Sequence, residues 1–218
     1  MGARPISKAG YTLYGRPGAG SSSVEVLLTL TGVDHAVIDV SKADDEALAR
    51  LRGLNPLVEV PTLVLPSGEV MMESAAMMIL LSDLRPDLGL SPAASSPLRP
   101  KFLRLIAFLA ANVYPTCLRY YYPDRYTGDE AGAGAVKAAA TSRNEREWAH
   151  FAAQVGHGPF ALGETLSAVD LYATMLMDWA ADRKVLFARH PALATLAHAV
   201  VTDPKCAPVW ERHGVLVP

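Results

Sequence analysis

The first ninety residues alternate between strand-like and helix-like runs, and no strand pattern returns after them. That switch restricts the chain to an α/β unit followed by a helical one. Tyr11 to Gly15 predicts a strand, Ser21 to Thr31 a helix and Ala36 to Val40 a second strand, the order that builds a parallel βαβ unit. Asp44 to Leu54 predicts the next helix, ended by Gly53 and Asn55-Pro56. Two short strands, Thr62 to Leu65 and Glu69 to Met72, flank a tight Pro66-Ser67-Gly68 turn, and a helix from Glu73 to Leu84 closes the unit.

The order strand, helix, strand, helix, strand, strand, helix is thioredoxin-like, with one mixed sheet and helices on both faces. Pro86, Pro92, Pro97 and Pro100, interspersed with Ser91, Ser95 and Ser96, then break the pattern. This predicts a thioredoxin-like domain over 1–88, a linker over 89–98 and an all-helical domain over 99–218. Phe102, Leu105, Ile106, Leu109 and Val113 form one helical stripe, which Pro115 is expected to bend or interrupt. Further along, Leu166-Ser167-Ala168-Val169-Asp170-Leu171 has the spacing of a capping box and hydrophobic staple, the start of a buried helix.

Composition narrows the function classes. Of 218 residues, 20 are basic and 22 acidic with no basic run, so nothing predicts contact with nucleic acid or an anionic membrane. Half the residues are hydrophobic, yet no stretch reads as the roughly 20 apolar residues of a membrane span, and Met1 to Gly10 lacks a signal-peptide core. Cys117 and Cys206 are the two cysteines, too few for a disulfide framework or a zinc site, and a reducing cytoplasm is expected. The six histidines show no metal spacing, so no metal site is expected. Trp148, Trp179 and Trp210 read as packing residues.

The chemistry concentrates in Val60-Pro61-Thr62-Leu63 and, ten residues on, Glu73-Ser74. A proline before a short strand removes an amide donor, and a cis bond there would turn the neighbouring peptides sideways, leaving Val60 to pair with an extended ligand. At Ser74 a helix N-terminus offers unpaired amides to a carboxylate, and Glu73 adds a countercharge for an amine. A carboxylate receptor beside an ammonium receptor fits the α-amino-acid end of a small ligand.

Taken in order, Leu13-Tyr14-Gly15-Arg16-Pro17-Gly18-Ala19-Gly20-Ser21, Leu54-Asn55-Pro56, Val60-Pro61-Thr62-Leu63, Glu73-Ser74 and the box at Ser167 and Asp170 resemble the glutathione transferases over nearly the whole chain. The resemblance implies a cis Pro61, backbone pairing of Val60 with the cysteinyl part of glutathione, and Glu73 with Ser74 on its γ-glutamyl group. It also implies that Lys42 reaches the glycine carboxylate, where relatives use basic residues. Glutathione would be co-substrate, and a cytoplasmic homodimer with a detoxifying role is expected.

Only a thiolate is strongly nucleophilic, and a free thiol has a pKa near about 8.5, so this chemistry needs a donor beside the sulfur. In the family the donor comes from the turn before the first helix, here Gly18-Ala19-Gly20-Ser21-Ser22-Ser23. The beta class has a cysteine where Gly20 stands, so reductase chemistry at this turn is not expected. Ser21 is the first candidate donor, then Ser22, then Tyr14. Asn112 and Tyr114, with Cys117 and Tyr120 to Tyr122 nearby, are expected around a flat apolar electrophile. Glu59 departs from the family, which carries lysine or glutamine there, and its charge would repel the ligand. The reading is conjugation of glutathione to small hydrophobic electrophiles. The alternatives are a non-catalytic binding or regulatory protein, or a glutathione-dependent isomerase, dehalogenase or etherase.

Overall fold

The computed structural model describes residues 10–41 and 45–215. Strand β1 (Tyr11–Gly15), helix α1 (Ser21–Thr31), strand β2 (His35–Asp39), helix α2 (Asp45–Leu54), strands β3 (Thr62–Val64) and β4 (Val70–Met71) and helix α3 (Ser74–Asp83) follow the expected order. The sheet runs β2-β1-β3-β4, parallel between β1 and β2 and antiparallel elsewhere. Leu13 lies opposite Leu63, and both enter the main core with Val24 and Leu27 of α1 and Met77 and Leu81 of α3. On the other face Tyr14 and Val64 meet Leu51 of α2. Strand alternation thus gives each face of this small sheet its own helices.

After the proline-rich stretch come α4 (Arg99–Phe108), α5 (Tyr114–Tyr121), α6 (Ala133–Ala152), α7 (Ala168–Asp178), α8 (Arg183–Arg189), α9 (Pro191–Thr202) and α10 (Ala207–Arg212). The N-terminal unit is thioredoxin-like, and the rest is mostly helical. Arg99 grips Asp83 through two hydrogen bonds of 2.7 and 2.8 Å, and the Leu90 carbonyl accepts from Ala168 N–H at 2.8 Å, so the connecting stretch is tied to α3, α4 and α7. The bonds from Arg99, partly offset by burial, hold the Asp83 carboxyl below its ordinary range.

Pro115 neither breaks nor sharply ends its helix. It has no N–H and its ring crowds the carbonyl four residues back, and the chain absorbs this with a π turn over Leu109–Val113 that joins α4 to α5. The resulting 23-residue run, Arg99–Tyr121, holds an 18-residue window of mean hydropathy 1.2, so by length and composition alone it passes for a bilayer span. Its stripe of Phe102, Leu105, Ile106, Leu109, Val113 and Cys117 is instead buried in the main core. A core helix needs the same composition.

Helix α7 is buried along nearly its whole length. Its cap forms as expected, with the Asp170 carboxylate accepting from Ser167 N–H at 2.8 Å and the Ser167 hydroxyl at 2.7 Å. The same carboxylate takes Ala161 N–H at 2.7 Å, while Lys101 of α4 donates to the Ala161 carbonyl at 2.9 Å. One loop residue is thereby clamped between two helices.

Candidate functional site

The Val60–Pro61 bond is cis, as expected. The loop that carries it is organised by Asn55, whose buried amide donates to the Glu59 carbonyl at 3.2 Å and to the Thr62 hydroxyl at 3.0 Å. Its side-chain oxygen accepts from Leu57 N–H at 3.0 Å. The sequence marks Asn55 as a helix stop and as part of the Leu54-Asn55-Pro56 motif, and neither reading gives its side chain a role. Its position inside the loop is what lets one amide satisfy three groups of backbone and side chain.

Helix α3 begins directly across from this loop. Glu73 caps it with φ of 69°, a left-handed conformation uncommon outside glycine, and its carbonyl accepts the first helical bond from Met77. The amides of Ser74, Ala75 and Ala76 therefore have no acceptor within the helix, and they carry the positive end of its dipole. Glu59, Val60, Pro61, Glu73, Ser74, Tyr114 and Tyr172 line a cavity of about 170 Å³ here. The Ser74 and Tyr172 hydroxyls lie 2.8 Å apart, joining the first helix turn of α3 to α7. Burial drives the Tyr172 phenol well above its ordinary range, so it stays protonated.

A second cavity, of about 300 Å³, is bounded by the Arg16–Gly20 turn on one side and by Tyr114, Cys117, Leu118, Tyr121, Tyr122 and Trp179 on the other. The two cavities share Val60 and Tyr114. The first is edged by carboxylates and helix amides, the second mainly by rings and turn backbone. Tyr114 stands edge-on to Trp179 at 5.2 Å between centroids, and the Trp179 indole donates to the Gly18 carbonyl at 3.1 Å. Trp179 thus belongs to the cavity wall, not only to the packing expected of it. Gly18 N–H also donates to His213 Nδ1 at 3.3 Å, and His213 Nε2 lies 2.9 Å from Glu25. Burial alone would raise the Glu25 carboxyl, but hydrogen bonds from His213 and Arg212 bring it below its ordinary value. Helix α10 in this way braces the turn from behind.

The expected donors sit elsewhere than the sequence suggested. Ser21 Oγ accepts from Arg16 N–H at 3.1 Å and donates to the Arg16 carbonyl at 3.2 Å, and Ser22 Oγ donates to the Ala19 carbonyl at 2.9 Å. Both are buried, close the turn on itself and line neither cavity. Tyr14 is buried on the α2 face of the sheet, where burial raises its phenol and Arg50 partly offsets this. Asn112 also lies outside both cavities, its side-chain oxygen accepting from Arg143 at 3.2 Å. Lys42 falls outside the described residues. Val60, Pro61, Glu73, Ser74 and Tyr114 are brought together, with Glu59 exposed at the rim. Cys117 does reach the second cavity, but burial pushes its thiol up to about 12, too high for a nucleophile near neutral pH. Among the described residues no group of three or more His, Cys, Asp and Glu forms a metal site.

The sequence profile of the glutathione S-transferase N-terminal domain matches residues 21–84. The chain is 34% identical over 206 residues to the uncharacterized GST-like protein YncG of Escherichia coli, covering 94% of this chain and 98% of that one. Among solved structures it resembles a glutathione transferase homologue from Sulfitobacter with bound glutathione (20% identity, 95% and 100% of the two chains, TM-score 0.82). It also resembles a sphingomonad glutathione S-transferase complexed with glutathione (25% identity, 94% and 100% coverage, TM-score 0.78). With 34% identity over nearly the full length of one GST-like relative and the two-part fold of the solved structures, this chain belongs to the glutathione S-transferase superfamily.

Proposed function

We propose that the protein conjugates the thiol of glutathione to small hydrophobic electrophiles. The observation that carries this reading is the pair of cavities, one charged and one aromatic, that meet at Val60 and Tyr114. In the first, Glu73 and the α3 amides would hold the amine and carboxylate of the γ-glutamyl group, Ser74 would add a hydroxyl, and the Val60 backbone beside Pro61 would pair with the cysteinyl part. The sulfur would then sit at the junction. The second cavity would take the apolar electrophile against Tyr121, Tyr122 and Trp179. The thiol proton leaves to solvent, the sulfur forms a bond to carbon, and the leaving group departs with its electron pair or, in an addition, the neighbouring carbon takes a proton. Lys42, a homodimeric assembly and a cytoplasmic setting belong to the same proposal, the last supported by two free, buried cysteines.

Calorimetric titration with reduced glutathione tests the reading, with saturable binding expected at micromolar to millimolar ligand. Absence of binding at millimolar glutathione sinks it. The second reading, a binding protein without chemistry, is favoured by Glu59, an acidic residue in the lining of the first cavity. Glu59→Gln is expected to tighten glutathione binding by about two- to fivefold at low salt, since an exposed like-charge contact is worth about 0.2–1 kcal/mol, and the gain shrinks as salt screens it. An unchanged dissociation constant at low ionic strength would place the Glu59 charge away from the ligand.

A further inference from the structure

We propose that the hydroxyl beside the glutathione sulfur is that of Tyr114, delivered from the helical half of the molecule, and not one from the serine turn. The inference rests on the conjugation reading above and names the donor it needs.

Three observations converge on it. First, the Tyr114 hydroxyl makes no hydrogen bond among the described residues, and Tyr114 lines both cavities. A half-buried phenol with an unused O–H is waiting for an acceptor. Ser21 and Ser22, by contrast, spend their hydroxyl protons on the carbonyls of Arg16 and Ala19.

Second, the oxygen lies at the start of α1. A methyl group built on Gly20, the residue capping that helix, would be 2.5 Å from the Tyr114 oxygen and 3.3 Å from Pro61 Cδ. The hydroxyl therefore fills the space between the α1 N-terminus and the cis proline. A sulfur paired beside Val60 would meet it there, with the positive end of α1 adding to its stabilisation.

Third, the ring is fixed before any ligand arrives. Trp179 meets it edge-on at 5.2 Å, Tyr172 lies tilted at 6.5 Å, and Trp179 and Tyr172 are themselves held by Gly18 and Ser74. A donor that need not reorganise is the arrangement that favours developing negative charge. Burial, with smaller effects from Glu59 and other neighbours, pushes the phenol up to about 12, so it remains a proton donor across the range in which a thiol ionises.

The test compares wild type, Tyr114→Phe and Ser21→Ala by three readouts: calorimetric affinity for glutathione, ultraviolet absorbance of the bound thiolate against pH, and turnover with an aryl halide. Phenylalanine keeps the packed ring, so folding is preserved. In Tyr114→Phe the bound thiol pKa should rise by about one to two units and turnover should fall about 10²-fold, the scale for losing one preorganised donor, while glutathione affinity changes less than about threefold. An unshifted thiolate titration in Tyr114→Phe, or a shift that appears in Ser21→Ala instead, overturns the assignment and leaves conjugation standing. If wild type binds no glutathione, the conjugation reading fails and the donor assignment fails with it.

Discussion

Asp170→Ala lowers the unfolding free energy by about 3–5 kcal/mol and the melting temperature by roughly 10 °C. The side chain is fully buried and accepts from three donors, Ser167 N–H, the Ser167 hydroxyl and Ala161 N–H. Each buried donor left without an acceptor costs about 1–3 kcal/mol, and only the hydroxyl can turn to find another. Urea denaturation at pH 7.5 measures the loss, and a variant within 1 kcal/mol of wild type would mean that water reaches these donors. The pH dependence has a defined sign. Burial pushes the Asp170 carboxyl up to about 6 from an ordinary 3.8, with the hydrogen bonds from Ala161 and Ser167 partly opposing the rise. A folded-state pKa above the unfolded one means that protonation favours folding. This contribution is complete below about pH 4 and is lost as pH rises through about 6. The gap between wild type and the alanine variant should therefore widen toward pH 4.

How much of this could be read from sequence follows from what sets each feature. Elements governed by periodicity and punctuation were legible: α1, α3 and β1 lie within a residue of expectation, and the Ser167–Asp170 cap forms because it is a local motif. The same holds for the cis Val60-Pro61 bond and the helix start at Glu73-Ser74, both of which are set by local backbone geometry. The hydroxyls were not legible. Whether Ser21 faces a ligand or its own turn depends on how Arg16 folds back, and no spacing rule encodes that. Tyr14 stands next to Leu13 on a strand buried on both faces, so burial could not say which face carries the site. Trp179 and Tyr172 come to the cavities only when α7 packs against α1 and α3, a tertiary event without a local signature. A signal was present in one place: Tyr114 stood out as a polar ring ahead of Pro115. The π turn that Pro115 requires then sets the register in which Tyr114 borders both cavities.

Gly20→Ala is expected to reduce turnover about 10²-fold through a single added methyl group. The backbone offers no reason for a loss, since Gly20 has φ −57° and ψ −13°, a conformation that alanine adopts freely, and removing a glycine narrows the unfolded ensemble. The cost is steric and falls chiefly on one atom. The new Cβ would lie 2.5 Å from the Tyr114 oxygen, nearer than such contacts are found, and the ring's neighbours Trp179 and Tyr172 oppose its retreat. The hydroxyl must leave the position from which it would meet the sulfur, with the same kinetic consequence as Tyr114→Phe. That equivalence makes a double-mutant cycle decisive. Once the hydroxyl is gone, the methyl keeps only the 3.3 Å contacts with the ring carbon Cζ and Pro61 Cδ, which a few tenths of an ångström relieve, so Gly20→Ala in the Tyr114→Phe background should cost less than about threefold, a coupling of about 2 kcal/mol between two residues in contact. Fully additive losses would show that the methyl obstructs the ligand itself, and the space at Gly20 would then belong to the sulfur instead of its donor.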